Sequence, residues 1–393
     1  MNQIKRLLLI VITLSAIVVL CAQCLNTNRN DDAAEKSYVK ETTCIKCHKS
    51  ITDSYALNAH HNTSQLVTPS FLINRPDSKN KDFIFENHTR VSVETKNGIA
   101  YQVAYVDGKE VLAKRFDIAI GSSLKTYSFA YWENNKLFQL PLSYLRETNQ
   151  WVNSPGFSAN TGNFSRPIKS RCLQCHSSGV ETVTVNPGSF KQDEQMKPNS
   201  LIFGINCQRC HGPASKHVEF QLQNPNSKEG KYITLYTSLT RKQKMEACGV
   251  CHSGNDVLVL KPTFKFKPGD KLSDYYLPNS SDASAQPDVH GNQLGLLMQS
   301  KCYLSSNNLT CNSCHNIHEP RKASLAIYSQ RCMSCHKTPK HSAATLAKGL
   351  IKTNCIDCHM PKKPSQLISF QTAIGKKPIP YLMRTHRVAI YKD

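Results

Sequence analysis

Seven times in 393 residues the chain sets two cysteines three positions apart with a histidine directly after the second. The segments are Cys44/Cys47/His48, Cys172/Cys175/His176, Cys207/Cys210/His211, Cys248/Cys251/His252, Cys311/Cys314/His315, Cys332/Cys335/His336 and Cys355/Cys358/His359. They use all but three of the 17 cysteines, leaving Cys21, Cys24 and Cys302. Random order at this composition would produce roughly 0.03 such segments per chain. Two thiols at this spacing share one face of a turn, so both can add to the vinyl groups of one porphyrin, and the adjoining imidazole can swing under the iron as proximal ligand. Disulfides need no histidine after every second cysteine. Zinc fingers join two Cys-x-x-Cys units, or one unit to distant histidines. The spacing therefore predicts seven covalently attached c-type haems.

Covalent haem of this kind is added outside the cytoplasm, and the N-terminus agrees. Lys5 and Arg6 precede an apolar run over 7–20, broken only by Thr13 and Ser15. That is a charged n-region followed by a secretory h-region. Cys21 or Cys24 offers a lipidation point, a plain cleaved signal is the second reading and a retained anchor the third. All three place the haems in the periplasm or at the cell surface, with membrane association through the N-terminus expected.

The formal charge of +21 invites a nucleic-acid reading. Removing Lys5 and Arg6 leaves +19, and the fourteen propionates of seven haems bring the reduced holoprotein near +5. The basic excess is thus matched mostly by haem carboxylates, and no nucleic-acid partner is expected. Expected partners are redox proteins, either quinol-oxidising membrane enzymes or other cytochromes.

Attachment sites divide the chain unevenly. We expect a signal or anchor segment at 1–24, a first-haem segment at 25–80, a small β-rich module at 81–150 and a hexahaem electron-transfer domain at 151–393. Alternation over 90–95 and 99–106, joined by Asn97-Gly98 and ending at Asp107-Gly108, reads as antiparallel hairpins. More strands are expected over 111–120 and 124–142. The module reads as a cover for the second haem, or as a docking or access wall. Elsewhere short helices, such as 240–246 and 343–351, and Pro-rich loops at 261–268, 278–287 and 362–380 are expected to wrap porphyrins. The fold class read from this pattern is mainly α and irregular, a haem-cored multihaem fold with a small antiparallel β insertion. Sites 2, 3 and 4 are 35 and 41 residues apart, and sites 5, 6 and 7 only 21 and 23. Such short separations hold porphyrins close together, as a wire requires.

Eight of the 15 histidines lie outside the repeated segments: His60, His61, His88, His217, His290, His318, His341 and His386. Seven irons each need a sixth ligand to be closed to substrate; an open position permits chemistry at iron. Cys302 reads as a buried thiol more than a ligand.

The motifs resemble a known family. Tyr55-Ala-Leu-Asn-Ala-His60, Ser154-Pro-Gly-Phe157 before Arg171-Cys-Leu-Gln-Cys-His176, and Cys207-Gln-Arg-Cys-His-Gly-Pro-Ala-Ser-Lys-His217-Val are the first three. His290-Gly, Cys311-Asn-Ser-Cys-His-Asn-Ile-His318 and Cys355-Ile-Asp-Cys-His-Met-Pro361 complete the set. Over roughly 40–390 the chain is similar to the periplasmic multihaem cytochromes related to the tetrahaem cytochrome c of ammonia oxidation, and more so to their longer seven-haem relatives. The resemblance implies electron transfer and assigns His60, His217, His290, His318, His341 and His386 as distal ligands. His61 stands where the family has a small residue, and His88 has no motif behind it. A second function is implied by the wider superfamily: oxidation or reduction of a small nitrogen or sulfur compound at one open iron. No Cys-x-x-Cys-Lys segment, the mark of the active haem in many nitrite-reducing relatives, is present.

Overall fold

The computed structural model of the chain describes residues 37–69, 71, 81–122, 125–190, 192–254, 257–277, 291–373 and 377–391. The N-terminal segment with Cys21 and Cys24, the loop 278–287 and His290 lie outside the described residues.

The stretch without attachment sites builds two antiparallel sheets. Asp82–Ile84, Arg90–Lys96, Ile99–Val106 and Lys109–Arg115 form the first, in chain order. Its turns are the expected ones. Asn97 and Gly98 take φ of 51° and 76°, Asp107 and Gly108 49° and 76°, so Lys96 faces Ile99 and Val106 faces Lys109 across two-residue loops. Positive φ at both central positions matches the strand twist, and asparagine, aspartate and glycine tolerate it best.

The second sheet has seven strands. Ser64–Leu66, Ile118–Ile120, Thr126–Glu133, Lys136–Gln139 and Arg166–Ile168 run in that spatial order. Leu142–Leu145 pairs with Thr126–Glu133, and Gln150–Asn153 pairs in turn with Leu142–Leu145. The sheet thus takes strands from before 81 and after 150.

An aromatic cluster fills the space that the sheets enclose: Phe83, Phe85 and Val91 with Tyr127, Phe129, Tyr144 and Trp151. Gln102, fully buried, ties the sheets by donating to the Leu142 carbonyl at 2.7 Å and accepting from the Leu142 amide at 2.8 Å. Both halves of its amide are satisfied, so its burial costs little. Replacing Phe129 with alanine is expected to destabilise this module by about 3–5 kcal/mol, the usual cost of emptying a buried aromatic site. Thermal melts followed by circular dichroism check this; an unchanged melt would mean that the cluster does not hold the sheets together.

Nineteen strands stand beside eleven α-helices among the described residues, and several helices span only one turn. The expectation of a mainly α and irregular chain with a small β insertion is therefore corrected: helix and strand are comparably represented, and antiparallel pairing recurs along the chain. Two causes are visible. An attachment segment needs only a turn, so the helices Cys207–His211 and Ile356–His359 stop after five and four residues. And the Pro-rich stretch read as a loop at 362–380 belongs to a hairpin, Lys362–Phe370 against Ile379–Arg384. Each strand of a two-stranded ribbon has a free edge, which is where strand prolines are tolerated.

Of the two expected helices, one runs as Arg241–His252, with a Thr240/Gln243 capping box, and the other as Ala343–Ala347. Apolar clustering thins out here. Around Arg241–His252 the cluster is Val250, Phe266 and Tyr275. Site 2 borrows from the sheet: Leu173, between its two cysteines, packs with Ile118, Ala130 and Leu137.

Candidate functional site

Attachment histidines and other histidines come together in pairs. His48 and His217 have ring centroids 6.4 Å apart, His211 and His318 5.9 Å, His252 and His60 6.1 Å, His315 and His386 6.3 Å, His359 and His341 6.1 Å. Each pair joins one Cys-x-x-Cys-His histidine to one from outside those segments. An iron about 2 Å from a nitrogen of each ring would set the centroids roughly 6.3 Å apart. Interplanar angles fall near parallel, at 9°, 16° and 29°, or steep, at 70° and 90°. The donor set and spacing fit an iron porphyrin between the members of each pair.

The imidazoles are prepared for that role. His211 Nδ1 lies 2.9 Å from the Thr234 carbonyl, His359 Nδ1 2.9 Å from that of Ala389, and His217 Nδ1 2.9 Å from that of Lys231. A carbonyl only accepts, so it fixes the proton on Nδ1 and frees Nε2 as the ligand atom. Burial, with His252 and His315 nearby, pushes His60 down to about 4, and burial beside His315 does the same to His386. Both are neutral at pH 7, the form that ligates metal. His386 and His341 each keep a buried Nδ1 without a hydrogen-bond partner among the described residues.

Long-range contacts seat these rings. Ile205 donates its amide to the His60 carbonyl at 2.9 Å, and the Tyr55 hydroxyl donates to the Ile205 carbonyl at 2.6 Å. Gly204 makes this approach possible: at φ +63° a Cβ there would meet the His61 carbonyl oxygen at 2.0 Å. Gln208, inside site 3, clamps Val39 with a pair of hydrogen bonds of 3.0 and 2.6 Å and draws site 1 against site 3. Ser300 Oγ accepts from the Val388 amide at 2.8 Å beside His386, and Ser329 Oγ from the Cys355 amide at 2.9 Å, linking sites 6 and 7.

The attachment sulfurs also meet across sites. Cys44 and Cys207, Cys175 and Cys251, and Cys248 and Cys311 lie close enough for each thiol to shift the ionisation of the other. Cys210 lies within electrostatic reach of Cys251 and Cys248, and Cys332 within reach of Cys355, Cys314 and Cys302. Every site therefore has a sulfur within electrostatic reach of a sulfur of another site. None of the described cysteines forms a disulfide.

At sites 6 and 7 the two thiols of each pair differ in exposure. The structure parts them: Cys332 and Cys355 are half-buried, whereas Cys335 and Cys358 are exposed. The first sulfur of each pair turns inward, Cys332 Sγ donating to the Tyr328 carbonyl at 3.6 Å and Cys355 Sγ to the Ile351 carbonyl at 3.5 Å. Three residues on, the second points outward, and Cys335 Sγ accepts from the neighbouring Ser334 hydroxyl at 3.9 Å. Cys47, Cys172 and Cys314 are exposed as well. The physical reason is that the polypeptide supplies little apolar cover around these segments, so polypeptide packing does not enclose Cys335 or Cys358. Their assignment as haem-bonding residues rests on the sequence motif, not on burial.

The remaining candidates fall as follows. His176 Nδ1 is 3.0 Å from Thr63 Oγ1. His336 is exposed, with no ring against it among the described residues. His61 lies edge-on to Tyr55 at 5.8 Å, its Nε2 3.9 Å from Glu41 Oε1. His88 sits exposed at φ 64° in the turn between Asp82–Ile84 and Arg90–Lys96. Cys302 is half-buried near Cys314 and Cys332. Sequence reading missed the polar network of Gln174, Arg209 and Thr263 behind sites 2 to 4; its one local signal was a charged residue between two attachment cysteines.

Replacing His60 with alanine is expected to turn one haem, that of Cys248, Cys251 and His252, high-spin and leave the others low-spin. Low-temperature electron paramagnetic resonance reads this directly; a spectrum like that of the unaltered chain would contradict the His60–His252 pairing.

Comparison with known proteins agrees with this picture. A family model described as cytochrome c554 and c-prime matches residues 143–212, which contain sites 2 and 3. The solved outer cell wall cytochrome OcwA superposes with a TM-score of 0.54 at 17% identity, over 90% of this chain and 79% of that one. Among curated protein sequences none matches.

Proposed function

Because the chain has a multihaem cytochrome c fold, we propose that it is an exported seven-haem electron carrier. The observation that carries this reading is the succession of meeting sulfurs. A thioether sulfur is bonded at the edge of its porphyrin, so neighbouring sulfurs bring porphyrin edges together. Sulfur proximity supports an order of haems 1, 3, 4, 5, 6, 7, with haem 2 branching from haem 4. Electrons then pass between edges in contact. Paired histidines on the irons favour outer-sphere transfer over substrate binding.

Haem faces also explain the exposed carbon. Leu57, Leu222 and Leu304 are each at least 70% exposed in segments flanking attachment sites, where porphyrin would cover them. The exposed sulfurs of Cys335 and Cys358 fit the same account.

The end bearing sites 6 and 7 suits a negatively charged redox partner. Described residues between 321 and 391 hold twelve Lys and Arg against Asp357 alone. Four propionates leave this lobe at about +7. Export is supported by the N-terminal sequence pattern; the similar solved protein is named for the outer cell wall. No described helix is long and apolar enough to cross a membrane.

A second reading, an oxidoreductase acting on a small nitrogen or sulfur compound, is favoured by His336, whose exposed ring has no described partner. Low-temperature electron paramagnetic resonance of the oxidised protein, with and without cyanide, separates the two. The carrier gives low-spin iron throughout and no response. A high-spin iron that shifts with cyanide or nitrite supports the enzyme.

A further inference from the structure

Arg209 stands between Cys207 and Cys210 and is buried, with 9% of its surface exposed. Its Nη1 donates to the Thr263 carbonyl at 2.6 Å, and its Nη2 to the Gln174 carbonyl at 3.2 Å and to Thr263 Oγ1 at 3.3 Å. All three acceptors are neutral. Nε has no partner among the described residues. The ring of Phe264 lies 5.8 Å from the guanidinium carbon. Asp270, the acidic neighbour it shares with Tyr38 and Tyr275, accepts from the Tyr275 hydroxyl at 2.7 Å and the Lys267 amide at 2.9 Å instead.

A guanidinium taken out of water is ordinarily matched by a carboxylate, because the desolvation cost of a charge is large. Here it is held by dipoles, and among the described residues no carboxylate accepts a hydrogen bond from it. Its surroundings show where that charge acts. Cys175, Cys210 and Cys251, one sulfur from each of sites 2, 3 and 4, all lie within its electrostatic reach. Thioethers form on the vinyl side of a porphyrin, away from the propionates, so haems bonded to these sulfurs would turn their own carboxylates away from the guanidinium.

We propose that Arg209 sets reduction potential: its fixed charge makes the junction of haems 2, 3 and 4 the part of the chain that is reduced first. A positive charge at a porphyrin edge stabilises the ferrous form, which carries one electron more than the ferric form, over distances at which a buried charge is poorly screened. Electrons entering at either end would gather at the junction, each passing from a ferrous haem to a ferric neighbour. The inference rests on the seven-haem carrier reading.

Spectroelectrochemistry of the full haem-loaded chain tests it, with Arg209→Gln, Arg209→Lys and the exposed control Lys348→Gln. Arg209→Gln is expected to move one to three of the seven one-electron steps to lower potential. Arg209→Lys should stay near the unaltered protein, and Lys348→Gln should not differ from it. Superimposable curves for Arg209→Gln and the unaltered chain would overturn the proposal. So would equal shifts in Arg209→Gln and Arg209→Lys, since packing rather than charge would then be the cause. A second readout needs no substitution at 209. In partly reduced unaltered protein, the ferric resonance signals of sites 2, 3 and 4, assigned through single-site cysteine deletions, should vanish first. Earlier loss at sites 6 and 7 would overturn the proposal. A mature chain with fewer than seven haems would instead sink the carrier reading itself.

Discussion

A Cys207→Ala/Cys210→Ala chain should carry six haems and leave the haem of Cys44, Cys47 and His48 cut off from the other five. In stopped-flow reduction that haem should fall out of the shared phase and lag by orders of magnitude. The reason lies in its contacts. Cys44 meets Cys207, and the Gln208 clamp on Val39 presses the first site against the third. Cys207 is the attachment sulfur that acts on Cys44, so site 1 is expected to reach the rest through site 3. Electronic coupling falls exponentially with edge separation, and a missing porphyrin opens a gap of its own width. A matched Cys355→Ala/Cys358→Ala chain, which removes the terminal haem 7, should keep its six remaining haems in common exchange. If both deletions leave six haems reducing together, the inferred order is wrong.

The second large effect concerns haem as scaffold. Produced without haem attachment, the chain should keep residues 81–168 folded and lose most ordered structure over 205–391. Amide hydrogen exchange should find Val91, Phe129 and Leu142 protected, and Val250, Ser329 and Thr385 exchanging freely. The first region holds the large aromatic cluster and two sheets with satisfied ladders. Among its described residues the second has the small cluster around Val250 and Phe266 and scattered buried side chains such as Leu296 and Met383, too little apolar burial to offset the conformational entropy of so many residues. Protection spread evenly over both regions, or lost from both, would contradict this division.

What the sequence made legible follows from how locally each feature is encoded. The attachment motif is written in five consecutive residues, so its seven occurrences could be read directly. The motif says nothing of burial, however, and the outward placement of Cys335 and Cys358 was not readable from it. Asn97-Gly98 and Asp107-Gly108 encode their turns just as locally, and the first sheet follows from them. Distal histidines are different, since a lone histidine carries no local mark. His217 stands 169 residues from His48, and only the neighbouring motif made it readable. The rings of His60, His217, His318, His341 and His386 do meet attachment histidines, whereas His88 ended in an exposed turn. The fold class was misread because the Pro-rich stretch over 362–380 was read as a loop and the antiparallel pairing that recurs along the chain was not foreseen. Pairing partners lie outside any local window, and a free ribbon edge forgives proline. Arg209 was passed over because its meaning lies in what its side chain lacks, a carboxylate, and no local pattern shows that.

One number bears on everything above: how many porphyrins the finished polypeptide holds. Intact mass should be measured on mature chain purified from cells with a working cytochrome maturation system. It should exceed the polypeptide mass by seven haems that survive denaturation. A colourless product, or one short of that count by even one haem, would contradict the wire.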